Sequence, residues 1–138
     1  MFQIKPFVFN FASENTYLLF NENKNAWLID PGNMNDHETQ AISNFITEND
    51  LKIQKILLTH AHIDHVLGLQ WASDTFNVPV TMHQEDQEVL DMLQASGARF
   101  GFQIPAVKVE TQYVNEGNEL DFDGEKFKIY HVPGHSPG

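Results

Sequence analysis

Apolar and β-branched residues gather along the chain in short stretches, Phe2–Val8, Thr16–Phe20 and Ala26–Ile29, separated by Asn-rich turns such as Asn21-Glu22-Asn23-Lys24-Asn25. This spacing predicts a β-meander at the N-terminus. Asn35 followed three residues later by Glu38 reads as a capping box, and Ala41, Ile42, Phe45 and Ile46 then share one helical face, which predicts a helix over Asp36–Asn49. Ile53–Leu58 is a compact apolar strand, and the polar segment Thr59–His65 leads from it into a second helix through Trp71 and Phe76. Val78–Met82 reads as another strand, with Pro79 marking an edge or a strand start. Gln84–Ser96 sets Val89, Leu90 and Leu93 at helical spacing and puts Gly97 where a C-terminal cap belongs. Ala98–Glu110 has no period and holds Phe100, Phe102, Ile104 and Pro105, the marks of a packed loop or a pocket rim. Glu119–Phe122 and Glu125–His131 flank Asp123-Gly124, a pair suited to the positive φ of a two-residue hairpin turn.

Strands first, then strand and helix in alternation, with no repeat or linker, predict one layered α/β domain. The 138 residues suit a single core, and 41% hydrophobic with 20% charged residues is the balance of a folded chain. Eight Lys+Arg against nineteen Asp+Glu leave a formal charge of -11, which repels polyphosphate and argues against a nucleic-acid partner. No cysteine is present, so any metal must be held by nitrogen and oxygen. No apolar run nears the ~20 residues of a membrane span, and Met1–Phe11 lacks the uninterrupted apolar core of a signal peptide. The expectation is a soluble, cytoplasmic protein without a membrane partner.

The strongest chemical feature is Thr59-His60-Ala61-His62-Ile63-Asp64-His65, directly after the buried strand. On an extended segment, His60 and His62 point to the same side. Asp64 and His65 fall where the chain turns toward the next helix and can address a neighbouring point. Such a loop can present two ligand sets to two adjacent metal positions. A closed structural zinc site needs four ligands and no more, and a run of surface histidines does not account for the clustering.

With those residues in view, the sequence resembles the metallo-β-lactamase fold superfamily, whose His-x-His-x-Asp-His loop is matched by His60, His62, Asp64 and His65. Ile29-Asp30-Pro31-Gly32 is similar to the family's strand-end Asp-Pro-Gly turn, and His131-Val132-Pro133-Gly134-His135-Ser136-Pro137-Gly138 is similar to its later Pro-Gly-His-Thr/Ser-Pro-Gly loop. The wording is most similar to the glyoxalase II-like, or hydroxyacylglutathione, hydrolases. The resemblance implies an αββα sandwich. It makes His60, His62 and His135 ligands of a first metal, has Asp64 and His65 contribute to a second, with Asp64 as the catalytic carboxylate, and sets Asp30 beneath the metal loop as an orienting group. Gly134 is expected to permit the tight approach that points His135 inward. Family members add a bridging Asp and a last His on later strands, and this sequence ends before either. It therefore reads as the N-terminal portion of the sandwich, its domain incomplete at the C-terminus, with an apolar face that a homodimer or domain swap would cover.

Three neutral imidazoles and an open position let Zn²⁺ lower the pKa of bound water to about 7, so the resemblance implies hydroxide attack on a thioester such as an acylglutathione. One or two zinc ions are expected, with iron or manganese as alternatives. Rival readings are a mononuclear-iron persulfide dioxygenase, a β-lactam hydrolase, disfavoured by the lack of a signal peptide, and a non-catalytic metal-binding module if the chain ends at Gly138. The remaining histidines read plainly: His37 as a surface residue, His83 as a helix cap, and His131 as packed in or near the core.

Overall fold

The computed structural model describes residues 1–138. Its central element is a six-stranded sheet in the order β1-β2-β3-β4-β5-β6, built from Phe2–Phe9, Glu14–Asn21, Asn25–Ile29, Lys52–Leu57, Val80–His83 and Thr111–Val114. The first three strands form the antiparallel meander that the N-terminal pattern predicts. From β3 onward the pairing is parallel, and each parallel step needs a crossover. Helix α1 (Asp36–Glu48) links β3 to β4, α2 (Leu69–Phe76) links β4 to β5, and α3 (Gln87–Asp91) with α4 (Leu93–Arg99) links β5 to β6. All three crossovers step the same way across the sheet, and right-handed connections that do so lay their helices on one face.

Strand alternation then divides the apolar residues between two faces. Leu18, Leu28 and Ile56 turn toward the helices and join Ile42, Leu69 and Leu90 in the main core. Leu19 and Trp27 turn the other way, where the hairpin of β7 (Glu119–Phe122) and β8 (Glu125–Lys128) covers them with Phe122. The Phe122 ring lies 4.4 Å from that of Trp27 and 4.8 Å from that of Phe2. The hairpin covers this face only in part. A cavity of about 470 Å³, lined by Ile4, Tyr17, Leu57 and Phe127 among others, stays open beside it, and Ile4 and Tyr17 are exposed. The architecture is the expected α/β one, with helices on one side of a mixed sheet and a partly uncovered apolar face on the other. No helix is long and apolar enough to cross a membrane.

Several elements depart from expectation. The predicted helix Gln84–Ser96 is a 3₁₀ turn, Gln84–Asp86, followed by α3 and α4. The break falls at Met92 (φ -86°, ψ 7°), whose N–H meets both the Glu88 and the Leu90 carbonyls. Gly97 lies inside α4 and does not cap it; an added Cβ there would meet Ile104 at 2.6 Å. Strand β6 had no sequence signature because it is an edge with little burial. Strand β8 stops at Lys128 because its partner β7 begins at Glu119. Helix α2 starts only at Leu69, after a 3₁₀ turn at Ile63–His65. Pro79 marks a strand start and not an edge, since β5 runs between β4 and β6. The Asn35 side chain caps α1 at the Glu38 N–H as the capping box predicts, but Glu38 reaches back to the N–H groups of Met34 and Asn10.

Candidate metal centre

Three parallel strands deliver polar residues to one end of the sheet. Asp30 follows β3, Thr59 and His60 follow β4, and Asp86 lies just beyond β5. The carboxyl ends of parallel strands are where open α/β sheets bind ligands. Asp30 is 2% exposed and holds a left-handed backbone, φ 51°, a conformation a non-glycine residue keeps only where its surroundings demand it. The demand comes from the adjacent loop. Asp30 Oδ1 accepts the Thr59 N–H at 2.7 Å, and Oδ2 accepts the Thr59 hydroxyl at 2.5 Å. Asp30 Oδ2 also lies 2.9 Å from His65 Nδ1. An ionised carboxylate only accepts, so His65 Nδ1 carries the hydrogen and its Nε2 lone pair is left free.

The same reasoning sets His60. The Thr59 hydroxyl has one proton and donates it to Asp30, so at 3.0 Å from His60 Nδ1 it accepts, and Nδ1 is the protonated nitrogen. His60 Nε2 then presents a lone pair. That atom is buried and has no hydrogen-bond partner, a state a buried polar atom does not ordinarily tolerate. His62 Nδ1 and His135 Nε2 face each other at 3.0 Å, although the two residues are 73 positions apart. One ligand atom from each of His60, His62 and His135 lies within 4.8 Å of the others. Asp30, His60 and His65 form a second such group, and His65 Nε2 lies 3.3 Å from Asp64 Oδ2. The structure thus brings together His60, His62, Asp64, His65 and His135, with Asp30 beneath them. The donor set and the orphaned His60 Nε2 fit a divalent cation.

Gly134 has φ 142°, a left-handed value, with open space around its Cα. Its contribution to aiming His135 is therefore conformational and not the tight approach expected of it. Close approach matters instead at Gly32, where an added Cβ would lie 2.2 Å from Glu14 Oε2 and 2.5 Å from the Asp64 carbonyl oxygen. Asn10 secures the same region by donating to the carbonyls of Gly32 and Asp64 at 2.9 and 2.8 Å.

Burial lowers the pKa of His60 and His62, and in each a neighbouring imidazole, His65 or His135, adds to the effect. Neutral imidazole is the form that ligates a metal. Burial acts the same way on His65, but the Asp30 hydrogen bond and the charges of Asp30, Asp64 and Glu14 outweigh it and raise its pKa. Burial pushes Glu14 up to about 8, against lowering contributions from Thr16 and His65. A protonated Glu14 settles a local conflict. Thr16 Oγ1 has one proton for two acceptors, the Asp30 carbonyl at 2.7 Å and Glu14 at 2.9 Å, and a Glu14 that donates leaves the threonine proton for Asp30. Because the folded pKa exceeds the ordinary glutamate value of 4.5, this contribution to stability is complete below pH 4.5 and lost as pH rises toward 8. Glu14→Gln, which keeps the donor, is expected to flatten the decline of the metal-free protein's urea midpoint across that range.

Sequence reasoning did not single out Glu14, Asn10 or Asp86, and it gave Thr59 no role beyond its place at the head of the histidine loop. Each is a common polar residue in a polar stretch, and only its burial or partner marks it. His37 is exposed on α1 as expected. His83 accepts the Glu85 N–H at 3.1 Å, the predicted cap. His131 is half-buried beside the core, where it stacks on His83 with ring centroids 3.9 Å apart, near the carbonyl of Pro137.

Known proteins share the family and the fold. A family model described as the metallo-beta-lactamase superfamily matches residues 10–138. The hydroxyacylglutathione hydrolase GloC of Haemophilus influenzae is 35% identical over 127 residues, covering 91% of this chain and 58% of that protein. Among solved structures, BLEG-1, a B3 metallo-beta-lactamase, superposes with a TM-score of 0.84 at 31% identity, covering 99% of this chain and 64% of its own. TTHA1623 in a di-iron-bound form gives 0.81 at 30% identity, covering 97% and 63%. The chain therefore spans a little under two thirds of each of these relatives.

Proposed function

We propose, from the premise that this chain belongs to the metallo-beta-lactamase superfamily of metallo-hydrolases, that the protein hydrolyses a small acyl thioester of the hydroxyacylglutathione kind. The observation that carries the reading is the convergence of His60, His62 and His135 from two loops far apart in sequence, with His62 Nδ1 and His135 Nε2 3.0 Å apart and His60 Nε2 left without a hydrogen-bond partner. In this proposal His60 Nε2, His62 Nδ1 and His135 Nε2 hold one divalent ion, and Asp64 and His65 contribute to a second position beside it. A bound ion supplies Lewis acidity, which makes water a nucleophile near neutral pH and polarises an acyl carbonyl. Zinc is the metal proposed, and the di-iron form of TTHA1623 makes iron the alternative. Asp30 and Thr59 act through the imidazoles by keeping Nε2 of His60 and His65 unprotonated. A thioester suits such a site because a thiol of pKa roughly 8.5 departs as thiolate with little help from a general acid.

The same reading takes the chain as the N-terminal portion of an αββα sandwich, since the relatives extend well beyond the matched length. It takes a cytoplasmic setting and a small molecule as partner, and the charge of -11 disfavours nucleic acid. The likeness to BLEG-1 supports β-lactam hydrolysis as a second reading. The two are separated by assaying the protein, expressed from its complete reading frame and loaded with zinc or iron, against S-lactoylglutathione and a chromogenic β-lactam. Metal-dependent thioester cleavage that His60→Ala abolishes is the expected result. Turnover of the β-lactam alone, or oxygen consumption with a persulfide, would overturn the proposal.

A further inference from the structure

Two loops must meet for the three imidazoles to converge, the one holding His60 and His62 and the one holding His135. Besides the histidines themselves, a single side chain is hydrogen-bonded to both. Asp86, 1% exposed at the end of the 3₁₀ turn after β5, accepts the Ala61 N–H on Oδ2 at 2.6 Å. Its Oδ1 accepts the Ser136 hydroxyl at 2.7 Å and the Gly138 N–H at 2.5 Å. The approach is close on the second side, since a Cβ added at Gly138 would lie 2.7 Å from the same oxygen. The donors fall between and beside the histidines: Ala61 separates His60 from His62, and Ser136 follows His135.

We infer that Asp86 is a positioning residue that clamps the His135 loop onto the His60–His62 loop, its two oxygens serving one loop each. The inference rests on the reading of those histidines as a metal site. Its chemistry is specific to a carboxylate. An asparagine has one acceptor oxygen, so whichever way its amide turns, one loop meets an N–H₂ group instead of an acceptor. Asp86→Asn is therefore expected to release one loop while keeping the size of the side chain. Ser136→Ala is the milder variant, because it removes a single bond and acts on the His135 loop alone.

The test is the affinity for the first equivalent of zinc, measured against a chromophoric chelator in the protein expressed from its complete reading frame. Outer groups that orient metal ligands are worth about 10- to 100-fold in affinity. Asp86→Asn is expected to fall in that range, and Ser136→Ala to lose at least about threefold with an unchanged urea midpoint in the metal-free state. The decisive readout is a double-mutant cycle. If Ser136 acts through His135, Ser136→Ala should have no further effect on the weak binding left by His135→Ala, whereas a merely structural role would weaken both backgrounds equally. Zinc affinity unchanged in both Asp86→Asn and Ser136→Ala, or equal losses in the two backgrounds, overturns the clamp. Zinc affinity unchanged by His135→Ala itself would instead overturn the metal-site reading on which the clamp depends.

Discussion

Replacing His60 or His135 with alanine is expected to leave the protein without its first metal ion, while His37→Ala binds metal as the parent does. Each of the two imidazoles supplies one of only three nitrogen donors in its group. Loss of a donor should exceed the ~10–100-fold that an outer orienting partner is worth. His60 Nε2 is also buried without a hydrogen-bond partner in the fold. The His60→Ala substitution also removes the Nδ1 hydrogen bond to Thr59, and relief of the unsatisfied Nε2 should offset that loss, leaving the metal-free protein about as stable as the parent. Metal content by elemental analysis after dialysis, paired with urea unfolding of the metal-free proteins, checks both statements. Equal metal in all three variants would refute the assignment.

The second large effect is expected at Asp30, and from its most conservative replacement. Asp30→Asn preserves the shape and can keep its amide oxygen on the Thr59 N–H, where Oδ1 now lies. Its amide nitrogen then stands where Oδ2 accepts from the Thr59 hydroxyl and faces His65 Nδ1. Each of those bonds must run backwards. His65 Nδ1 becomes an acceptor, so its hydrogen moves to Nε2, and the Thr59 hydroxyl turns to donate to His60 Nδ1 with the same consequence. Two nitrogens that face the metal positions would lose their lone pairs through the change of one atom. The expected result is a fall in zinc affinity of about 100-fold, at the upper end for an outer-shell group because two ligands are affected. Nitrogen-detected NMR of the imidazoles in metal-free protein should show both tautomers inverted. Retention of the parent tautomers in Asp30→Asn would show that Asp30 does not set them.

How much of this was legible beforehand follows from where each signal lies. The His60–His65 loop could be read because its chemistry is concentrated in six residues at the end of an apolar strand, and the structure puts those side chains together at that strand end. His135 was legible only through the likeness of its loop to a known motif, since no local period connects it with His62 73 positions earlier. Asp86 and Glu14 were not legible at all. A buried carboxylate in strand β2 or after β5 looks, in sequence, like any solvated acid, and it is the fold that removes the water. The main core was readable because β2–β4 carry short apolar stretches that send Leu18, Leu28 and Ile56 into it, whereas β6, exposed at the sheet edge, carried no apolar pattern to read.

The claim at the centre of this account is that three imidazoles from two separate loops hold one ion. Anomalous diffraction at the zinc edge from zinc-loaded crystals tests it most directly. The account predicts a strong peak bonded to His60 Nε2, His62 Nδ1 and His135 Nε2 together. Zinc found only on surface carboxylates, or on His60 and His62 with His135 turned away, would contradict it.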